Sequence, residues 1–496
     1  MQLTQKGKIY ALILLASAIF TVFSITFEFF PHLGLSISFI FFATLAFNIK
    51  KEKTSLTKIF FVITLILSAF LSIRSEGFIT FLNIVSIFYF ASLLSLTKND
   101  KPENAFSLIF APFVLFIKSL QTTNVYSLEL NNSVAKEKRK ENVINTVAVT
   151  LTTITVLAVI LPLLSSANPF FEKFLSGIVD LVGLDNFKIT DNLFEWMFRF
   201  AFFLLLSYFI PKVATFINKK ESTKNLVPEG INILIPKIAV AIVLTIFFIT
   251  QFQLYFSSSE TLEAIGYTYS NYTNEVFAQL SAVAAIVLVL LYGEKENKKL
   301  NRKMALVLAI QGIFLTFMAY KSVYEYSAAW GFTYKRLYGF ALASWILGIF
   351  TIYLYTFLKN IEKYIFLTTS LVYTGIILVL INVFNFDYII YHFRRASTGQ
   401  GVDYEYLSRL SSDSLSYKSL LFEITKKSSE SIGDVEKTQA ANFGLWTLIY
   451  KIERLQEKYE DPDFRGFNLL EYLQYKEIKD VNTETIKSKY TLTNPL

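Results

Sequence analysis

The chain has no cysteine, two histidines and little charge. Its 496 residues include 18 Gly and 10 Pro, and 17% are charged, whereas a soluble protein has about a quarter. The missing cysteine excludes disulfides, a thiol nucleophile and iron–sulfur clusters. His32 and His392 lie far apart in the sequence, so a multi-histidine site within one chain is excluded. We therefore expect no metal and no cofactor.

Apolar and aromatic residues dominate what is present. The chain is 53% hydrophobic and 17% aromatic, with 50 Phe and 28 Tyr. This composition argues against a cytoplasmic globular enzyme and a disordered chain, and it favours a multi-pass membrane protein. The net charge of +8 does not point to nucleic acid, because the Lys and Arg residues lie mostly in short loops beside apolar runs. We expect the lipid bilayer as a partner and no nucleic acid.

A membrane-spanning helix needs about 20 mostly apolar residues. Eleven runs qualify: Ile9 to Phe27, Leu33 to Ile49, Ile59 to Ile73, Phe78 to Leu96, Val143 to Leu164, Trp196 to Ile217, Ile231 to Phe256, Val276 to Tyr292, Met304 to Tyr320, Leu337 to Leu358 and Tyr364 to Val383. A further segment, Ala105 to Ile117, is shorter and contains Pro112, which suits a re-entrant or interfacial segment. Whether it crosses decides the side of the tail.

The distribution of basic residues predicts the orientation. With eleven crossings and a cytoplasmic N-terminus, the inside loops collect most of the loop Lys and Arg residues, and the outside loops hold far fewer. If Ala105 to Ile117 also crossed, a basic cluster would lie on the wrong side. We therefore expect a bacterial cytoplasmic (inner) membrane protein whose C-terminal tail is extracytoplasmic.

The tail has a different composition, charged and rich in Ser. An amphipathic helix is predicted from apolar residues at three- and four-residue spacing: Leu445, Leu448, Ile449, Ile452, Leu455 and Tyr459. The predicted fold class is all-α, a polytopic transmembrane helical bundle followed by a C-terminal soluble helical domain. The predicted domains are an N-terminal membrane region at 1–142 with four crossings, a membrane core at 143–384 with seven crossings, and the tail at 385–496.

Two outer loops carry a similar phrase. Gly266-Tyr267-Thr268-Tyr269 and Gly331-Phe332-Thr333-Tyr334 each precede a returning helix. The glycine would permit a left-handed turn at a helix end, and the threonine would accept a backbone N–H at the next helix start. Capping with interfacial anchoring explains this pattern. A duplicated hairpin that presents a ligand surface is the alternative.

Several phrases resemble a bacterial multi-pass family, domain of unknown function 4173, which is related to 4153. They lie between Val143 and Leu473: Ser166-Ala167-Asn168-Pro169-Phe170-Phe171, Gly266-Tyr267-Thr268-Tyr269-Ser270-Asn271-Tyr272, Ala329-Trp330-Gly331-Phe332-Thr333, Leu410-Ser411-Ser412-Asp413 and Asp463-Phe464-Arg465-Gly466-Phe467-Asn468-Leu469. Asn168 stands where the family has Asp. The resemblance implies a membrane topology and brings no established activity.

Two groups of polar and aromatic residues are candidate sites. The first is an outer-face binding surface: Asn168, Tyr267, Thr268, Tyr269, Tyr272, Glu275, Tyr324, Trp330, Thr333, Arg336 and Asp387. The second is a set of intramembrane amides, Gln251, Gln279 and Gln311, whose default role is hydrogen bonding between helices. No catalytic residue is assigned, because the outer acids have no diagnostic spacing.

These observations favour a non-enzymatic module that binds or senses an envelope component, a ligand or a protein partner, through its outer loops and tail. One alternative is a transporter of a small solute or lipid whose pathway is lined by the three glutamines. A second alternative is an enzyme that modifies an envelope lipid or glycan and uses an outer carboxylate as general base. The sequence leaves the ligand and the oligomeric state open.

Overall fold

The computed structural model describes most of the apolar runs and most of the tail. The described residues are 5–26, 29–97, 108–120, 191–218, 234–255, 281, 283–284, 286–288, 291, 299–361, 363–398, 401–430 and 435–490. Two of the eleven predicted crossings therefore lie wholly or largely outside the described residues, Val143 to Leu164 and Val276 to Tyr292. The other nine coincide with helices.

The membrane region contains ten described helices: α1 (Gln5–Ser24), α2 (His32–Ile49), α3 (Ser55–Phe70), α4 (Gly77–Leu96), α5 (Ala111–Leu120), α6 (Asp191–Asn218), α7 (Leu234–Tyr255), α8 (Lys299–Trp330), α9 (Tyr334–Leu358) and α10 (Lys363–Val383). Among the described residues, six helices are long and apolar enough to cross a membrane: α2, α4, α6, α8, α9 and α10. The protein is therefore an all-α membrane protein.

The tail folds as a small helical unit. Its elements are as follows: α11 (Phe386–His392), β1 (Ser397–Thr398), β2 (Gly401–Val402), α12 (Tyr404–Ser408), α13 (Tyr417–Glu430), α14 (Val435–Glu460), α15 (Leu469–Ile478) and α16 (Thr483–Tyr490). Short 3-10 turns lie at Ser412–Ser414 and Phe464–Gly466. β1 and β2 form an antiparallel pair, with Ser397 opposite Val402.

The amphipathic helix predicted in the tail is confirmed as α14. All six of its predicted core residues are less than 9% exposed, and Leu445, Leu448 and Ile452 are completely buried. Their three- and four-residue spacing puts them on one face, which packs on α12, α13 and α15. Hydrophobic burial on this face holds the tail helices together.

The tail rests on one end of the membrane helices. One buried cluster contains Ile79 of α4, Leu337 of α9 and Ile381 of α10 together with tail residues such as Leu410 and Leu445. The tail meets the last turn of α1 and the loops after α3 and α8. The carbonyls of Val22 and Ser72 accept hydrogen bonds from Arg465 and Leu469, and the N–H of Phe332 donates to Arg394. We call this end of the bundle the tail side.

The segment expected to be re-entrant or interfacial contains α5, a helix of ten residues. Ten helical residues span about 15 Å, half the thickness of the hydrocarbon core. Phe113, Phe116 and Ile117 are each more than half exposed, so α5 presents an apolar flank outward. Whether this segment crosses the bilayer stays a prediction.

Helix α8 is longer than its apolar run. The predicted crossing ends at Tyr320, whereas the helix continues to Trp330 on the tail side. Its 32 residues correspond to about 48 Å, which exceeds the hydrocarbon thickness by several turns. The extension is polar on one side, where Lys321 and Glu325 form an ion pair at 3.3 Å.

Candidate functional site

The most unusual feature of the described structure is a group of charged side chains buried where the tail meets the membrane helices. Arg74 lies in the loop between α3 and α4, and Glu76 is the N-cap of α4. Asp387 lies in the first turn of α11, and Asp413 lies in the 3-10 turn before α13. We call these four residues the junction cluster. Arg74 is 2% exposed, and both aspartates are 0% exposed.

Arg74 connects both aspartates to the end of α10. Its Nε lies 2.8 Å from Oδ2 of Asp413, and its Nη2 lies 3.9 Å from Oδ2 of Asp387. Its Nη1 donates a hydrogen bond of 3.3 Å to the carbonyl of Asn382. A single guanidinium thus joins a membrane helix to two separate segments of the tail.

Local capping places the two carboxylates. Asn385, with a φ of +23°, accepts a hydrogen bond from the backbone N–H of Tyr388 and so starts α11, which leaves Asp387 in the first turn. Ser411 caps the 3-10 turn by accepting from the N–H of Asp413. The side-chain amide of Asn385 also donates to the carbonyl of Asp413 at 2.8 Å, which fixes the two turns against each other.

Each aspartate uses only one of its oxygens for hydrogen bonds. Oδ1 of Asp413 accepts from the backbone N–H and the hydroxyl of Ser75, at 2.7 and 2.6 Å. Oδ1 of Asp387 accepts from the hydroxyl of Tyr334 and, at 2.8 Å, from the N–H of Ser411. Oδ2 of both residues is buried without a hydrogen bond, as are Nε and Nη2 of Arg74. The close contact between Nε and Asp413 is therefore an ion pair without hydrogen-bond alignment.

Burial changes the ionisation of groups in and around the junction cluster. Desolvation raises the pKa of the Asp413 carboxyl; the Arg74 charge opposes this rise, and the charge of Asp387 adds to it. Desolvation also raises the pKa of Glu76, although two backbone N–H groups at the start of α4 lower it. Lys451 of α14 donates to the carbonyls of Ser408 and Leu410, and burial lowers its pKa to about 8.

Aromatic residues surround the junction cluster on the α9 side. The hydroxyl of Tyr406 accepts from the N–H of Tyr334 at 2.8 Å, and burial raises the pKa of Tyr406 to about 12. Tyr338 stacks edge-on against Phe386 and lies 3.4 Å from a Glu76 oxygen through its hydroxyl. These rings exclude water, which increases the energetic cost of any charge left without a partner.

The α8–α9 hairpin lies next to the junction cluster and contains four of the predicted surface residues. Gly331 has a φ of +76°, as expected for a left-handed turn at a helix end. Thr333 is the N-cap of α9, but its side chain makes no capping hydrogen bond, so the capping role predicted for it is wrong. Instead Arg336 donates to the carbonyls of Trp330 and Gly331 at 2.9 and 2.5 Å, which closes the end of α8.

The predicted outer-face residues are only partly brought together. Tyr324 is 64% exposed on the α8 extension, Trp330, Thr333 and Arg336 are half-buried, and Asp387 is buried in the core rather than on an open surface. The others lie outside the described residues: Asn168, Tyr267, Thr268, Tyr269, Tyr272 and Glu275. The proposed match between the Gly266 and Gly331 hairpins lies outside them for the same reason.

The intramembrane glutamine that the structure describes packs between helices. Nε2 of Gln311 donates to the carbonyl of Ala241 and to the hydroxyl of Thr245, both at 3.1 Å, and so joins α8 to α7. Gln279 lies outside the described residues, and Gln251 lies in α7 with a side chain that is not described. The role expected by default, hydrogen bonding between helices, is thus observed at Gln311.

Sequence reasoning assigned no role to Arg74 or Asp413. Arg74 is one of the few basic residues in the predicted outer loops. Asp413 is the last residue of the phrase Leu410-Ser411-Ser412-Asp413, which resembles the family. A useful signal was available in the loop Arg74-Ser75-Glu76, which puts two charges between two apolar runs. Chemically, the junction cluster can hold an ionic contact between tail and membrane helices, and it can take up a proton. Within the described residues, no group of acids and histidines could hold a metal ion.

Comparison with known proteins gives one match. A family model described as Domain of unknown function (DUF4153) matches residues 59–418, which is well over half of the chain. The matched stretch includes Arg74, Asp387 and Asp413. No curated protein and no solved structure matches the chain. The match is to family 4153, which is related to family 4173. The likeness to family 4173 itself stays a prediction.

Proposed function

The chain belongs to the DUF4153 family and has six described helices that are long and apolar enough to cross a membrane. On this premise we propose that it is a non-enzymatic module that binds or senses an envelope component. In this proposal, the tail-side loops and the tail take up the component. The junction cluster then couples the tail to the ends of α3, α4, α9 and α10. The membrane helices remain in contact with the lipid bilayer, whereas the envelope ligand or protein partner binds reversibly.

The observation that carries the proposal is the shared core of tail and membrane helices. Ile79, Leu337 and Ile381 belong to the same buried cluster as the tail residues Leu410 and Leu448. A ligand that moves the tail must therefore also change the packing at the ends of three membrane helices. Such a packed contact with buried charges has discrete arrangements, which is what a sensor requires.

The chain's basic residues support a bacterial cytoplasmic membrane location with the N-terminus inside and the tail outside. Away from the tail side lie the basic residues of the α2–α3 and α9–α10 connections and of the start of α8: Lys50, Lys51, Lys53, Lys359, Lys363, Lys299, Arg302 and Lys303. The described tail-side loops contain few. By the positive-inside rule, the lysine-rich face is cytoplasmic.

The proposed domain division follows the same reasoning. Residues 1–142 form an N-terminal membrane region, 143–384 a membrane core and 385–496 the extracytoplasmic tail. Within this division, the candidate surface comprises residues of the α8–α9 hairpin and of the other predicted outer loops: Tyr324, Trp330, Thr333, Arg336, Asn168, Tyr267, Thr268, Tyr269, Tyr272 and Glu275. Asp387 lies beneath this surface: it is buried, and its Oδ1 accepts a hydrogen bond from the hydroxyl of Tyr334 at the start of α9.

Transport and catalysis have less support among the described residues. The amide nitrogen of Gln311 donates hydrogen bonds to α7, so this side chain contributes to helix packing rather than lining a pathway. Asp387 and Asp413 are completely buried and Glu76 is half-buried, so the two aspartates are out of reach of a substrate that would need a general base. We therefore keep sensing as the proposed function.

The proposal is tested by complementation in the bacterium that carries the protein. A deletion strain is compared with wild type across envelope stresses such as detergents, wall-active antibiotics and pH. The full chain should restore growth. A chain ending at Phe384 and the variant Asp413→Arg, which adds a second cation beside Arg74, should insert into the membrane without restoring it. Glu423→Gln, which changes a partly exposed ion pair with Arg395 and can still accept from the hydroxyl of Tyr391, is the matched control.

Full complementation by the shortened chain would contradict the proposal. So would a deletion strain that grows as well as wild type in every stress. Membrane insertion is checked independently by fractionation, so a variant that is not inserted is not counted.

A further inference from the structure

The junction cluster contains more negative than positive groups. Asp387 and Asp413 face one guanidinium, that of Arg74, and the charge of Asp387 also acts on Glu76. Lys451 is a further cation that interacts with Asp387, and its Nζ donates to two carbonyls. The other titratable or charged groups that act on these carboxylates or on their tyrosine partners come from the elements packed around the cluster: Tyr334, Tyr338, Arg336, Asp403, Tyr406, Tyr417 and Glu471. Four of these seven groups are tyrosines, which are neutral at ordinary pH.

A second observation shows where a ligand can be held. Oδ2 of Asp387 and Nη2 of Arg74 are both completely buried, lack a hydrogen bond and lie 3.9 Å apart. A buried carboxylate oxygen with no donor is costly while it is charged, and adding a proton removes that cost. The adjacent guanidinium repels a metal ion and also stabilises the carboxylate anions, so burial and the repulsion between the two carboxylates are what favour a proton on Asp413.

We propose that Asp413, which is buried beside Asp387, holds a proton while the tail is docked and releases it when the tail lifts, so that docking of the tail is linked to pH. On docking, an O–H bond forms on the Asp413 carboxylate with a proton taken from water. On lifting, the proton returns to water, and both carboxylates are solvated as anions. This inference rests on the proposed sensing function and names a proton as one of the signals.

The direction of the effect follows from the burial of the pair. Burial raises the pKa of Asp413 in the docked state, so the docked state binds more protons than the lifted state between the ordinary pKa of an aspartate and the raised one. Docking therefore becomes more favourable as the pH falls through this range. It weakens as the pH rises toward the raised pKa, and it is constant above it. The charge of Asp387 contributes to this raised pKa, since the two carboxylates face the same arginine.

The absence of cysteine permits a direct test. A single Ile79→Cys substitution puts a thiol at a site that is 0% exposed beneath the tail, and Tyr450→Cys puts one on the tail surface, where the side chain is 51% exposed. The full chain is placed in nanodiscs of phosphatidylethanolamine and phosphatidylglycerol. Labelling by a pyridyl disulfide is measured from pH 4 to 8. Dividing the Ile79→Cys rate by the Tyr450→Cys rate removes the pH dependence of the reagent.

The expected result is a labelling ratio that rises with pH by up to about tenfold per pH unit across the titration range, the slope for one proton. Asp387→Asn should remove the dependence and keep the ratio at its low-pH value. Its Oδ1 can still accept from Tyr334 and Ser411, and the ion pair between Arg74 and Asp413 remains. Glu423→Gln is the matched carboxylate control and should keep the full dependence.

Infrared difference spectra provide a measurement that does not depend on the variant's docking. In the wild-type chain, lowering the pH should produce the C=O band of a protonated carboxylic acid in a dry environment, and Asp387→Asn or Asp413→Asn should change that band. A flat ratio for the wild type would overturn the inference. A pH dependence that Asp387→Asn leaves unchanged would also overturn it. So would a labelling ratio that falls when Mg²⁺ is added at constant pH.

These outcomes are separate from those of the complementation test. A flat labelling profile together with tail-dependent complementation would refute the proton linkage alone. Proton-linked docking together with full complementation by the shortened chain would refute the sensing function alone.

Discussion

Asn83 of α4 and Asn382 of α10 exchange side-chain hydrogen bonds within the membrane region, each amide nitrogen donating to the other's oxygen at 2.8 Å. Asn83 is completely buried, and Asn382 is 2% exposed. Because the carbonyl of Asn382 also accepts from Arg74, this pair continues the junction cluster into the helices. The amide pair therefore holds α10 in the position that the tail contact requires.

The amide pair predicts a clear double-mutant result. Asn83→Leu should lower the unfolding free energy by about 1 to 2 kcal/mol, because it leaves the Asn382 side chain partly without partners in an apolar region. Asn83→Leu with Asn382→Leu should cost less than the sum of the single changes. The measurement is thermal unfolding in detergent, and additive costs would contradict the prediction.

Arg74→Met should be strongly destabilising, by about 3 to 5 kcal/mol, because it leaves two buried carboxylates without a counter-charge. Acidification should restore part of the loss, since protonation of Asp413 removes one of those charges. Thermal unfolding at pH 5 and pH 7.5 measures both effects. Arg409→Met is the control, because its ion pair with Glu405 is exposed and contributes at most about 1 kcal/mol. Equal losses for the two variants would refute the assigned role of Arg74.

Gly331→Ala should destabilise the contact between the α8–α9 hairpin and the tail. A Cβ at Gly331 would lie 1.9 Å from the carbonyl oxygen of Arg395, and the residue has a positive φ, so a cost of about 2 kcal/mol or more is expected. Gly77→Ala is the control, because no atom lies within 4 Å of its added Cβ. Thermal unfolding compares the two variants, and a neutral Gly331→Ala would show that the hairpin is not held as described.

Single cysteines also test the orientation. Tyr450→Cys should react with a membrane-impermeant maleimide on intact spheroplasts. Lys51→Cys, exposed between α2 and α3, should react only after lysis. The reverse pattern would place the tail in the cytoplasm and would remove the proposal of an extracytoplasmic sensor.

Local pattern predicted the helices well, because length and apolar periodicity decide them. Nine apolar runs correspond to described helices, and the spacing of Leu445, Leu448 and Ile452 predicted the buried face of α14. Helix ends were less accurate. The run ending at Tyr320 stops where hydropathy falls, whereas α8 continues to Trp330 because contacts with the tail support its last turns.

The junction cluster could not be predicted in the same way. Ser75 and Asp413 are 338 positions apart, and only the folded chain brings them together. Asp387 was expected on an outer surface, since a charged residue just beyond a membrane helix is ordinarily solvated. In the structure, the tail folds back over it and supplies the N–H of Ser411. The sequence identified the residue as important without showing that it is internal.

The length of α8 has a mechanical consequence. The helix is continuous from Lys299 to Trp330, and its last turns are bonded to Arg394 and Arg336. An unbroken helix of about 48 Å acts as a rigid lever, so a tilt of about 10° about its far end displaces Trp330 by about 8 Å. A change in bilayer thickness that tilted α8 by this angle would therefore move its tail-side end by about the width of a side chain.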